Sequence, residues 1–322
     1  MKRILAVPFA VASAAMAQAG QYDDAAFRAL VKALESQRDV RATLVQSRSA
    51  EDMSITVTVQ IVPNRGIRST IMQPLLHAGM VSLDNGELWR NYDPQLNELR
   101  IEKSPARFQL DIEFRKKLIE KNFNVTFERD ATVAGRAARV VHLKGRHEGM
   151  SDRRLFVDSE NSLILRYVVV SPEGGSQTPI DTMSVDLRSP IDMAKFEAIG
   201  KENSKVIKAW GPIEVARAGD ARRYTGFEPV LPTELPAGLA KQAIHVVGTE
   251  ARSFVGVRLT DGMAVVTVYM WGAKEGEGPE EEPFAGKFDQ KSAGGVRIKV
   301  VGDATASVKA ALARAFARAA RD

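Results

Sequence analysis

From Met53 to Ile61 every second residue is apolar: Met53, Ile55, Val57, Val59 and Ile61 alternate with Ser54, Thr56, Thr58 and Gln60. Successive side chains of a β-strand point to opposite faces, so this stretch predicts a strand with one face buried and one wet. Val40 to Ser47 is its expected neighbour, and Pro63-Asn64-Arg65-Gly66 turns the chain into a further strand from Ile67 to Met72. The same pattern recurs at 123–128, 139–144, 154–158, 163–171 and 182–187, with turn residues such as Asp84-Asn85-Gly86 and Asp158-Ser159-Glu160-Asn161-Ser162 in the gaps. Strands joined by short turns pair antiparallel in sequence order.

Helical spacing is rarer. Phe27, Leu30, Val31 and Leu34 share a face behind Asp23 or Asp24, a helix start with an N-cap. Phe108 to Phe114 alternates like a strand, but the charged run 115–121 favours a helix ending near Lys121-Asn122. Between Pro190 and Tyr224 the periodicity weakens. Strands resume at 243–247, 254–259, 264–271 and 296–301, and Val308, Leu312 and Phe316 mark a closing helix. The fold class this predicts is α+β and β-dominated: an antiparallel half-barrel with covering helices, then a smaller sheet-and-helix C-terminal domain. The expected division is a large domain over 20–195, a linker over 196–225 and a small domain over 226–322.

Residues 1–19 read as a signal peptide. Lys2 and Arg3 supply the positive end, 4–16 are apolar or small, and Ala17-Gln18-Ala19 is a small-x-small cleavage site. The apolar run is short of the ~20 residues that span a bilayer. The expectation is an exported, periplasmic, soluble chain. No cysteine is present, which excludes disulfides, thiol nucleophiles and thiolate metal sites. Forty-five basic against forty acidic residues is close to balance, and two of the basic ones lie in the signal peptide. That is no nucleic-acid binder's charge. It still allows transient contact with an anionic membrane surface.

No catalytic motif is visible: no G-x-S-x-G elbow, no Walker A loop, no G-x-G-x-x-G. His142 and His147, with Glu148 and Asp152, form the only local group with metal-ligand types, and their spacing does not bring the imidazoles together. The expectation is a protein that is not an enzyme and has neither metal nor cofactor; an exported hydrolase is the remote alternative. Arg115-Lys116-Lys117 and Arg153-Arg154 could meet phospholipid headgroups, with a solvated surface as the plainer reading. Binding is the stronger prospect. A curved sheet with an apolar inner face and about two helices to cover it leaves room for a hydrophobic ligand. Val57, Val59, Leu88, Trp89 and Leu99 are the candidates to line that cavity, although each of them is also an ordinary core residue.

Two groups of motifs carry a family resemblance. Gly86-Glu87-Leu88-Trp89-Arg90-Asn91-Tyr92-Asp93-Pro94-Gln95-Leu96-Asn97 is similar to a stretch of the lipoprotein-carrier (LolA/LolB-like) superfamily. Val133-Ala134-Gly135-Arg136-Ala137-Ala138, then Leu155-Phe156-Val157-Asp158 and Leu163-Ile164-Leu165-Arg166, resemble the sigma-E regulator (MucB/RseB) family. The likeness runs on in order through Leu235-Pro236-Ala237-Gly238-Leu239, 261–269 and 300–305. It departs at Leu239, where the family has an aromatic, and at the glutamate-rich 275–282. The resemblance implies a lipoprotein-carrier-like first domain that senses lipid or a lipoprotein acyl chain. It also implies a second domain that contacts a membrane-bound anti-sigma factor in envelope-stress regulation. A lipoprotein carrier proper is the alternative.

Overall fold

The computed structural model describes residues 23–50, 53–104, 106, 111–208, 212–249, 252–272, 290–293 and 295–320. Residues 1–19, expected as a signal peptide, together with Phe108, Trp210-Gly211 and the glutamate-rich loop, lie outside the described residues.

The chain runs α1 (Asp24–Ser36), β1 (Ala42–Ala50), β2 (Met53–Val62), β3 (Gly66–Gln73), β4 (Val81–Asp84), β5 (Leu88–Asp93), β6 (Glu98–Lys103) and α2 (Ile112–Asn122). It continues through β7 (Phe123–Phe127), β8 (Ala131–Val133), β9 (Arg136–Gly145), β10 (Asp152–Asp158), β11 (Ile164–Val170), β12 (Ser176–Asp186), α3 (Ala194–Glu197) and β13 (Lys205–Lys208). The last part is β14 (Ile213–Val215), α4 (Arg222–Thr225), β15 (Ala240–Thr249), β16 (Arg252–Thr260), β17 (Val265–Gly272), β18 (Gln290–Ala293), β19 (Val296–Gly302) and α5 (Ala306–Ala319).

The first thirteen strands form one open sheet, in the order β13-β6-β5-β4-β3-β2-β1-β12-β11-β10-β9-β7, with β8 attached to β9. The alternating segment is β2, and Val57 and Val59 are buried in it as the period-2 pattern requires. Asp23 caps α1, its carboxylate accepting from the amides of Ala25 at 2.8 Å and Ala26 at 3.1 Å. Phe27 and Leu30 of α1 then pack on Phe123, Val141, Leu143 and Leu155 of the sheet. Asp111 caps α2 in the same way through the amide of Phe114.

The second sheet runs β14-β15-β16-β17-β19-β18. Thr305 caps α5, whose Val308, Leu312 and Phe316 join Val266, Val268, Ile298 and Val300 in a separate core. The fold class is the α+β, β-dominated one that the strand pattern predicts.

The segment expected as a linker, 196–225, contributes one short strand to each sheet. β13 pairs parallel with β6, Val206 opposite Leu99, and the Lys205 amide donates to the Asn97 carbonyl at 2.9 Å. β14 pairs with β15 in the second sheet. Just before β13, Ile191 and Phe196 cover Val62 and Leu83 on one face of the large sheet. The other face at this end is left for the groove described next.

Candidate functional site

The groove follows from strand register. Across β1, β2 and β3, Gln46, Val57 and Ile71 stand in one row. Ile61, Ile67, Asp84 and Trp89 stand in another across β2 to β5. This face leads into a cavity of about 460 Å³ lined by Ile55, Val57, Ile67, Ile71 and Trp89, with Arg38 and Arg48 among its polar groups. The Trp89 indole N–H donates to Ser82 Oγ at 2.6 Å, which fixes the ring against the sheet. Arg48 donates through Nε and Nη2 to the neutral Gln46 Oε1, and burial pulls its pKa down.

Of the five residues singled out from the sequence, the structure brings Val57 and Trp89 together at this cavity. Val59 is packed between Leu44 and Ile61 in the sheet's own core. Leu88 stands on the opposite face from its neighbour Trp89, because adjacent strand residues alternate. Leu99 lies opposite Tyr92 and Val206, on the same face as Leu88. Sequence reasoning missed Ile55, Ile67 and Ile71, although the turn at 63–66 and the alternation of β2 and β3 place all three on the Val57 face.

Close to the Ile71 end of the cavity the chain makes a tight excursion, held by Gly79 N to Ile71 O at 2.8 Å. Leu75 and Leu76 project from it at 85% and 70% exposure. Gln95 Nε2 donates to the Leu76 carbonyl at 2.8 Å and sets the exposed Leu96 in the neighbouring turn.

A second polar constellation joins the two sheets. Arg153 of β10, with 2% exposure, donates to Asp303 at 2.7 Å, lies 3.6 Å from Asp261, and bonds the Tyr167 hydroxyl. Burial works to lower the Arg153 pKa, but Tyr167 and the two carboxylates outweigh it and the net shift is upward. Burial pushes the Tyr167 phenol up to about 12 and holds the Asp261 carboxyl above its ordinary value, Arg153 opposing both. Asn122, wholly buried, donates to the carbonyls of Gly238 and Asp261 at 2.9 and 3.0 Å. Arg115 Nε donates to the Gly262 carbonyl at 3.0 Å. Gly262 has φ +101°, and a Cβ there would sit 2.9 Å from Ile119 Cγ1, so only glycine lets the second sheet's turn approach α2 this closely.

Arg115 and Arg153 therefore do not stand on a solvated or headgroup-facing surface; both are spent on the seam. Their neighbours are the surface members. Lys116 pairs with Glu113 at 2.7 Å and Arg154 with Glu128 at 2.8 Å. The histidines diverge: His142 lies between Glu128 and Asp152 at 3.4 and 3.6 Å, and His147 Nε2 meets Asn122 Oδ1 at 3.0 Å. Among the described residues no group of three His, Asp or Glu side chains has metal-binding geometry, and no helix is long and apolar enough to cross a membrane.

Residues 81–199 match the family model of the MucB/RseB N-terminal domain. The whole chain is similar in fold to the crystal structure of MucB, at TM-score 0.62 and 15% identity over 92% of this chain and 98% of that one. It is also similar to a chain of the Pseudomonas aeruginosa MucA/MucB complex, at TM-score 0.63 and 14% identity over 90% and 97%. The crystal structure of MucB in complex with MucA(peri) aligns at TM-score 0.59 and 14% identity over 89% and 97%. No curated protein matches the sequence. Trp89, the Arg136–Asp158 hairpin and the covering segment 191–199 all fall within the region that matches the MucB/RseB N-terminal domain model, and the chain as a whole is similar in fold to MucB.

Proposed function

We propose that this chain is an exported, periplasmic, non-enzymatic regulator of two domains, one built on each sheet. Its small domain grips the periplasmic segment of a membrane-bound anti-sigma factor. Its large domain takes an acyl chain, of a lipid or a lipoprotein, in the groove between Val57 and Trp89. The observation that carries the reading is co-extension with MucB, both sheets included, together with the family match inside the large sheet. A carrier has no need of the second sheet and its separate core around Val268, Ile298 and Phe316. The terminal strands β14 and β18 offer backbone donors and acceptors to an extended peptide. The apolar tip of Leu75, Leu76 and Leu96 suits brief contact with a membrane surface.

The test is affinity capture from solubilised envelope with the full-length processed chain as bait. The expected result is retrieval of a single-pass membrane protein with a cytoplasmic sigma-binding part, protected from proteolysis while bound. Retrieval of lipoproteins alone would replace the regulator with a carrier, and retrieval of neither would remove both.

A further inference from the structure

The groove face of the large sheet carries a cation that the fold does not neutralise. Arg48 follows Gln46 by two positions in β1, so both side chains stand on the face that bears Val57. The cross-strand neighbours of Arg48 are apolar, Ile55 in β2 and Ile180 in β12. Gln46 is 4% exposed, and its amide nitrogen donates to Thr182 Oγ1 at 3.1 Å. That bond turns Gln46 Oε1 toward Arg48, whose Nε and Nη2 donate to it at 3.1 and 2.9 Å. The guanidinium is thus held along one edge by a neutral oxygen. Among the described residues no carboxylate pairs with Arg48, and its Nη1 donates to none of them.

The remaining charges of the groove cancel. Arg38, Arg48 and Asp84 are the charged residues of its lining, and Arg38 meets Asp84 at 3.2 Å. One positive charge is left, that of Arg48. Burial lowers the Arg48 pKa and no carboxylate opposes it, as expected of a cation whose lost water has not been replaced by a counter-charge. Arg153, by contrast, is buried against Asp261 and Asp303. A buried charge without a partner is unfavourable, so an anion entering the groove finds its complement already in place. A guanidinium fork matches the two oxygens of a carboxylate, and the cavity of about 460 Å³ is of a size that takes small ligands.

We propose that Arg48 is the anion-binding residue of the groove and that the occupant is a long-chain fatty acid, its carboxylate on the guanidinium and its chain along Ile55, Val57, Ile71 and Trp89. This rests on the acyl-binding reading above and adds the headgroup: one unmatched cation selects one negative charge. Gln46 and Thr182 are positioning residues, which orient the guanidinium without taking up its charge.

Binding of oleate and of uncharged oleamide to the full-length chain, read by displacement of a fluorescent acyl probe, tests it. The expected result is roughly tenfold tighter binding of oleate, the effect of one charge-assisted contact. R48Q, which can still donate to Gln46, should abolish that preference while leaving oleamide unchanged, and R48K should keep most of it. I55E sets a carboxylate directly across from Arg48 and should abolish the preference with the cation still present. Acetate should leave the probe bound, and lysophosphatidate, with its second negative charge, should bind no more tightly than oleate. Equal binding of oleate and oleamide, unchanged by R48Q and I55E, would overturn the Arg48 site and leave the groove standing. Displacement by acetate as effective as by oleate would overturn the amphiphile, and much tighter binding of lysophosphatidate would overturn the fatty acid. No uptake of any acyl probe by folded protein would overturn the groove reading itself.

Discussion

Arg153 sits at a position where strand alternation, and not composition, decides its fate. Arg154 beside it reaches Glu128 at the surface, whereas Arg153 turns inward onto Asp261 and Asp303. Nothing in an Arg-Arg pair says which member is buried, because its partners lie more than a hundred residues further along. Removing one member of a buried ion pair leaves the other uncompensated, at a cost of ~3–5 kcal/mol. R153M is therefore expected to lose stability in that range by urea unfolding, and R153M/D261N to recover much of it. The pH sign follows from Asp261, whose folded pKa lies above its ordinary value. A carboxyl raised by folding opposes the folded state as pH rises through its unfolded value, so the R153M deficit should shrink on acidification and grow as pH rises above the ordinary carboxylate range.

Asp158 has the opposite sign. Burial pushes its pKa up, but hydrogen bonds from Arg136 and from the amides of Glu160 and Asn161 outweigh that, and the net shift is downward. Its stabilisation is present above the ordinary carboxylate value near ~4 and is lost as pH falls below it. D158N should cost ~1.5–3 kcal/mol at pH 7 and flatten the loss of stability between pH 4 and pH 2. An unchanged acid limb in D158N would contradict the role given to this hairpin.

At the scale of elements, local pattern was legible and distant pairing was not. The alternation of 53–61 is a strand, the face of Phe27 and Leu30 is a helix, and Asp23 is its cap, because each of these is decided within a few residues. The segment 190–208 carries only weak periodicity because what orders it is elsewhere: Phe196 needs Leu83, and the four-residue β13 needs β6, about a hundred residues away. Leu88 and Leu99 lie off this groove for a related reason. Both are apolar, but the face they share is the one opposite Trp89. The α5 helix gives the clearest test of an element's weight. F316A removes a ring with 1% exposure from the second core and should cost ~3–5 kcal/mol, with the far-ultraviolet spectrum of the remaining fold retained.

At the scale of the molecule, the seam is what joins the two sheets. Asn122, Arg115 and Arg153 all reach from the first sheet to the single turn around Asp261 and Gly262. A cavity of about 310 Å³ that shares Arg38 and Ile67 with the Trp89 groove is lined by Gly262 and Met263 of that same turn. On the proposed function, a ligand lying along the groove acts on a partner held by the second sheet only through differential contact, which coupling between sites requires. The direct test is a competition on the preformed complex of full-length chain and the captured anti-sigma segment. Oleate, titrated through the range in which the protein takes it up, should release the segment in proportion to lipid bound. A complex that stays intact after the lipid site is saturated would contradict the account.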